Sequence, residues 1–291
     1  MHHPEKIKEI TIINDFGGED KMKRLSYLFY IICLMVLISG CGKATNASED
    51  KDTLVIATNP SFNGFPEILE FIKPKLKEEG IDLKIEYVND IIQPNELVHD
   101  KSVDANAFQH IPYMEAYNKQ HGTNLVAAIK VLAWPSGLYS KRYKDIKDVP
   151  DGATISIPQD PSNNGRALDF LAKHGFIKLK EGVGLQATKK DIIENKRNFK
   201  IIELDQGMSA KSLDDVDLAF ILGGYQTAVG LHLKDALLAE DSSSEFIGVI
   251  TTRPDNQNDK KIQKLKKVLH TPEVKKFIEE TFHGDIIPVF E

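Results

Sequence analysis

Downstream of residue 52 the hydrophobic pattern switches between two periods. Residues 53–58 form a β-rich run, and a Pro/Gly loop follows over residues 59–66. Ile68, Leu69, Ile72 and Leu76 then recur at helical spacing, with Gly80 placed as a C-terminal stop. Pro74 inside this helix predicts a kink. Leu83, Ile85 and Tyr87 alternate with charged residues and predict a second strand. The order β-α-β implies a parallel sheet. A similar pattern recurs later. Residues 153–157 read as a strand, 164–174 as a helix closed by Gly175, and 199–204 as a strand. Thr188 and Asp191 have the spacing of a capping box and predict a helix entering residues 191–194. Thr271 with Pro272 starts the last helix.

Two short segments echo each other. Val103-Asp104-Ala105-Asn106-Ala107-Phe108 resembles Val216-Asp217-Leu218-Ala219-Phe220, in agreement with two similar α/β lobes. The extended runs 130–143 and 246–252 are candidate crossings between them. Two crossings place lobe 1 at residues 53–138 and 249–291, with lobe 2, residues 139–248, inserted between.

Upstream of the fold, Met22-Lys23-Arg24 precedes an apolar run over residues 25–38 and the ending Ser39-Gly40-Cys41. A basic start, a short apolar stretch and small residues describe a secretory signal peptide, here residues 22–40. The stretch falls short of the roughly 20 residues of a bilayer span. Residues 1–21 do not fit a secreted protein. Gly17-Gly18-Glu19-Asp20 back-translates to purine-rich codons just ahead of Met22, so we expect Met22 to be the start and residues 1–21 to be a mis-assigned leader. Peptides from residues 1–21 in the native precursor would contradict this. Residues 41–52, small, polar and charged, read as a flexible tether.

Composition narrows the function classes. Residues 41–291 make 251 residues, enough for one large domain or two ordinary lobes. The net charge of −6 gives no basic footprint for nucleic acid. The only cysteines are Cys33 and Cys41, so the secreted form has no disulfide and no cysteine metal site. The sequence lacks a nucleophile elbow, a His-Glu-x-x-His pair, a P-loop and a dinucleotide fingerprint.

Three clusters carry candidate chemistry. In residues 104–113, small residues run off a strand end into Phe108, His110 and Tyr113, an apolar box with one imidazole. Ligands of open α/β sheets bind beyond such ends, although the same residues also suit a core. In residues 157–168, a strand ends in a polar turn and a helix starts near Asn163 and Arg166. Helix N-termini receive anions, and a guanidinium is shaped for a carboxylate. Arginine stands only at positions 24, 142, 166, 197 and 253. An ordinary cap at Ser162 or Asn163 with a solvated Arg166 fits this spacing equally well. In residues 213–225, an apolar strand ends at Gly223-Gly224-Tyr225, which suits either close approach to a ligand or a tight turn. Asp214, Asp215 and Asp217 have no histidine nearby in sequence and read as a solvated turn.

At these residues the chain resembles the NlpA family of solute-binding lipoproteins. The likeness rests on the Ile38-Ser39-Gly40-Cys41 lipobox, Gln93-Pro94-Asn95, the 104–113 cluster and Gly137-Leu138-Tyr139-Ser140. It continues through Asp160-Pro161-Ser162-Asn163, Gly165-Arg166-Ala167-Leu168 and Asp215-Val216-Asp217, essentially the whole chain after the lipobox. It implies an α/β, two-lobed type II periplasmic-binding-protein fold, each lobe a mixed sheet flanked by helices, with the ligand cleft between lobes. It further implies a monomer, lipidated at Cys41, on the extracytoplasmic face of the cell membrane. Such a protein hands methionine or a related amino acid to the permease and ATPase subunits of an ABC importer, with no cofactor and no metal.

By the same resemblance, Phe108, His110 and Tyr113 line the side-chain pocket, while Asn163 and Arg166 hold the head group. Two positions depart from the methionine-binding pattern: Ile91 replaces an aromatic and Gly224 an asparagine. Gln159 also replaces a common asparagine. The missing side chain at 224 leaves room for a ligand extended at that pole, such as a methionine-containing dipeptide. Rival classes are a surface hydrolase using Ser162 and His110, and a metal-binding receptor, which needs several converging histidines and acids.

Overall fold

The computed structural model describes residues 52–241 and 246–290. The expected leader, signal peptide, lipobox with Cys41 and tether up to Lys51 lie outside the described residues. The chain opens with β1 (Thr53–Thr58), α1 (Phe65–Glu78), β2 (Asp82–Tyr87), α2 (Gln93–His99), β3 (Ala105–His110), α3 (Ile111–His121) and β4 (Val126–Ala133). It continues through β5 (Gly137–Tyr139), β6 (Thr154–Pro158), α4 (Pro161–Lys173), β7 (Lys178–Leu179), β8 (Ile192–Glu194), β9 (Lys200–Leu204), α5 (Gln206–Lys211), β10 (Leu218–Ile221) and β11 (Leu238–Ala239). It ends with β12 (Ile247–Thr252), α6 (Lys260–Leu269), α7 (Pro272–Phe282) and β13 (Ile287–Pro288).

These strands form a six-stranded sheet, β13-β4-β12-β3-β1-β2, and a five-stranded sheet, β11-β5-β10-β6-β9. β1 is parallel to β2 and β3. β6 is likewise parallel to β9 and β10. Each sheet then turns antiparallel, at β12 beside β3 and at β5 beside β10. One α/β unit is therefore built twice, which gives the echo between residues 103–108 and 216–220 a physical basis. Asp104 Oδ2 accepts from the backbone N–H of Val55 at 2.8 Å, and Asp217 Oδ2 accepts from that of Thr154 at 2.8 Å. In each lobe the aspartate before the third strand of the unit thus holds a backbone donor of the first.

The chain leaves the six-stranded sheet after Ala133 and has joined the five-stranded one by Gly137. It returns between Ala239 and Ile247. Both switches fall slightly ahead of positions 139 and 249 expected from the pattern, because Leu138 already pairs with Phe220, and Gly248 with His110. Each sheet has its own apolar core. Helix α1 delivers Phe65, Ile68, Leu69, Ile72 and Leu76 to the first, and its turns continue through Pro74 to Glu78. The second core gathers Ile155, Ile157, Leu168, Phe220 and Ile221. Phe62, from the loop after β1, packs against both.

Two local expectations need correction. Thr188 and Asp191 do form a capping box, but it opens only a single 3-10 turn, Lys189–Asp191. The chain then extends into β8, pairing with β7, as the β-branched Ile192 and Ile193 favour. Helix α4 starts three residues earlier than expected. Asp160 is its cap, accepting from the N–H of Asn163, and Pro161 occupies the first turn.

Removing the carboxylate by Asp217→Ala leaves the Thr154 N–H without this acceptor, and we expect a loss of about 1–3 kcal/mol in stability. The Asp217 carboxyl is held below its ordinary value, first by the Thr154 N–H and also by Arg142. Its contribution is therefore complete above the ordinary aspartate pKa of about 3.9 and disappears as pH falls through the lower folded-state value. Urea denaturation of both proteins at neutral and strongly acidic pH measures this; equal stabilities at neutral pH would contradict it.

Candidate functional site

The carboxyl end of β3 and the start of α4 face each other across the gap between the two sheets. His110 is the last residue of β3 and the cap of α3. Its Nδ1 accepts from the N–H of Tyr113 at 3.1 Å, so the imidazole proton sits on Nε2. Nε2 donates to Asn163 Oδ1 at 2.9 Å, a direct bond from one lobe to the other. Asn163 Nδ2 in turn donates to both oxygens of Asp160, at 3.0 and 3.1 Å. Gln206 Nε2 donates to Asp160 Oδ2 at 2.8 Å. A chain of polar contacts thus runs from β3 through α4 to α5. Burial, followed by the positive charge of Arg166, pushes the His110 imidazole down to about 3. His110 is therefore a neutral donor at physiological pH.

Arg166, one turn into α4, is 3% exposed. Its Nε donates to Glu240 Oε1 at 2.8 Å, and its Nη2 donates to Glu240 Oε2. Nη2 also donates to the carbonyl of Trp134 at 2.8 Å. The guanidinium carbon lies 3.8 Å from the centre of the Phe246 ring, a cation–π contact. Phe246 also meets the His110 ring, whose centre is 5.1 Å away. Arg166 Nη1 makes no hydrogen bond with any described residue.

Between these groups lies a narrow cavity of about 30 Å³ that opens toward solvent. Phe108, His110, Tyr113, Asn163 and Arg166 line it, as do Phe62, Trp134, Gln206, Leu222 and Gly223. Phe62 stands 4.5 Å from Trp134 and 5.0 Å from Tyr225, ring centre to ring centre. Phe108 meets Tyr113 edge to face at 5.8 Å. The arrangement is an apolar, aromatic chamber with a few polar groups at one pole, the composition of a small-molecule site.

Five sequence-selected residues, Phe108, His110, Tyr113, Asn163 and Arg166, meet at this cavity. Two others stand behind the walls. Ile91 contributes its carbonyl, which accepts from the Tyr113 hydroxyl at 2.7 Å. Gly224 lies behind Phe62. A Cβ there would sit 2.8 Å from the Phe62 ring, and its backbone φ of +96° disfavours other residues. The room expected at position 224 for an extended ligand is thus filled by Phe62. Ser162 donates to Asp160 at 3.0 Å, and no hydrogen bond joins it to His110. No group of three or more His, Cys, Asp or Glu placed to hold a metal occurs among the described residues.

Several wall residues escaped the sequence reading. Trp134 and Phe62 lie in loops without periodicity, although Trp134 is the sole tryptophan of the chain. Leu222 looks like one more strand residue. Glu240 is 74 positions from Arg166, and no spacing rule links them.

A family model described as NlpA lipoprotein matches residues 54–290. The D-methionine-binding lipoprotein MetQ of Salmonella typhimurium is 35% identical over 254 residues, 86% of this chain and 92% of that protein. A nutrient-binding protein of Burkholderia cenocepacia, solved bound to methionine, superposes with a TM-score of 0.78 at 38% identity, covering 81% of this chain and all of the other. A periplasmic substrate-binding protein of an ABC transporter from Coxiella burnetii does so with a TM-score of 0.76 at 37% identity, covering 81% and 100%. Among the described residues no helix is long and apolar enough to cross a membrane.

Two outcomes test this geometry. The His110 imidazole, followed by NMR, should stay neutral down to about pH 3. Its folded pKa lies below the ordinary value, so the fold loses stability as pH drops from about 6.5 toward that point. A titration midpoint near the ordinary histidine value would contradict the buried, neutral assignment. Gly248→Ala places a methyl carbon 2.4 Å from the Trp134 ring. Overpacking of this kind costs about 1–3 kcal/mol. The displaced Trp134 should change the protein's tryptophan fluorescence, and an unchanged spectrum with unchanged stability would refute the close contact.

Proposed function

The chain belongs to the NlpA lipoprotein family, and on that premise we propose that it captures methionine or a closely related amino acid between its two lobes. It then delivers this ligand to the permease of an ABC importer. The observation that carries this reading is the cavity itself. A buried arginine whose Nη1 makes no hydrogen bond with the described residues and a neutral histidine donor stand at one pole of an aromatic chamber. Arg166 supplies hydrogen bonds to the ligand carboxylate. Asn163 and His110 flank the head group. Phe62, Phe108, Tyr113 and Trp134 enclose the apolar arm.

Burying a side chain of methionine's size contributes about 1.5–3 kcal/mol, and the head-group bonds set discrimination. The protein is a receptor, not a catalyst. Acylation of Cys41 holds it on the outer face of the cell membrane, with residues 41–52 as tether and no further membrane-spanning element required. With Phe62 occupying the space at Gly224, free amino acids suit the cavity better than dipeptides extended toward that turn.

Titration calorimetry with L- and D-methionine tests the cargo directly. Saturable one-site binding of either is expected; heats no larger than those of an unrelated charged amino acid would contradict it. Arg166→Lys should weaken methionine binding by about 1.5–3 kcal/mol, because a point charge cannot both hold Glu240 and reach a ligand carboxylate. Unchanged affinity would remove Arg166 from the site. Cys41→Ala should release the folded protein from the membrane fraction, and retention there would require another anchor.

A further inference from the structure

The partner already bound to Arg166 bears on which head groups the cavity accepts. Glu240 takes two hydrogen bonds from the guanidinium, and its Oε2 also accepts from the backbone N–H of Ser136 at 2.9 Å. The backbones of the same two residues pair as well, Glu240 N–H donating to the Ser136 carbonyl at 2.9 Å. Glu240 is therefore fixed in place by the first crossing segment, where it pairs with Arg166. The positive charge of Arg166 is matched by a carboxylate of the protein itself.

A second carboxylate adds to this. Asp160 accepts from two residues that line the cavity, Asn163 and Gln206. His110, the other basic group on the wall, is neutral. The side chains lining the cavity are thus hydrogen-bonded to two carboxylates and contain one guanidinium. A ligand carrying only a carboxylate adds a further negative charge to a buried site whose described residues have no cation to spare. A buried charge without a counter-charge is strongly disfavoured. A ligand that brings its own ammonium group adds no net charge and offers that cation to the excess of carboxylate.

We propose that Glu240 is a specificity-determining residue: by neutralising Arg166 through a bidentate pair anchored on Ser136, it makes the cavity select ligands with an ammonium group and reject simple carboxylates. Glu240 acts through Arg166 and is a positioning residue. This rests on the reading of the cavity as an amino-acid site and adds the basis on which that site tells a zwitterion from an anion.

The test measures three probes by calorimetry on wild type and Glu240→Gln: methionine, its des-amino carboxylic acid and its decarboxylated amine. Wild type should bind methionine tightest and the acid weakest, with the amine between. Glu240→Gln unmasks the guanidinium charge, so affinity for the acid relative to methionine should rise about tenfold or more. A merely structural role for Glu240 would weaken all three probes together. An unchanged ratio in a variant that still binds methionine overturns the proposal while leaving the amino-acid reading intact. If wild type and variant bind none of the three, the amino-acid reading falls and the proposal with it. Thermal unfolding checks that the variant is folded. Should it fail to fold, the wild-type order decides, and an acid that binds wild type as tightly as the amine overturns the proposal.

Discussion

A buried guanidinium is the constraint around which this protein is organised. Arg166 projects from α4 of one lobe, and its fixed contacts come from the segments that join the lobes. The Trp134 carbonyl belongs to the first crossing, Glu240 and Phe246 to the second. An arginine 3% exposed needs a counter-charge and satisfied donors. Meeting that need fixes α4 against both crossings, because Glu240 is itself held by Ser136. The direct bond between His110 and Asn163 also joins the lobes at the cavity. Two hydrogen-bonded networks, one at the lobe junction and one at the crossings, thus meet at the Phe246 ring.

The apolar half of the site follows from close packing. Phe62 packs against both cores and covers the turn at Gly223 and Gly224. Trp134 reaches over Gly248, where a Cβ would come within 2.4 Å of its ring, and its Nε1 donates to the Asn63 carbonyl at 3.0 Å. Small residues under large rings let the aromatic walls approach the backbone closely. The chamber gains its shape from loops and strand ends, while the sheets set the distance between them.

The fold was legible in the sequence where periodicity speaks. The buried face of α1, the alternation in β2 and the repeated β-α-β order all read correctly. The aspartates at 104 and 217 mark the two halves as copies because each meets the same backbone need. The reading failed at residues 191–194, where a sound capping box met β-branched residues and opened a single turn. It also placed the start of α4 late, since Asp160-Pro161 was read as loop rather than as cap and first turn. Phe108, His110, Tyr113, Asn163 and Arg166 stand in compact motifs, and all five line the cavity. Trp134 and Phe62, in loops without periodicity, and Glu240, which meets Arg166 only where the chain returns between lobes, carry no local spacing signal. The substitution of Gly224 suggested open space; the ring filling it is 162 positions away in the sequence.

The central claim is that this cavity encloses a small amino acid. Native mass spectrometry of freshly purified protein, compared with the same sample after denaturation, measures this most directly. The account predicts a native mass above that of the denatured chain by one small molecule, recovered on denaturation as a free amino acid bearing both ammonium and carboxylate groups. A released molecule lacking an ammonium group, or a native protein that carries no adduct even after incubation with methionine, would contradict it.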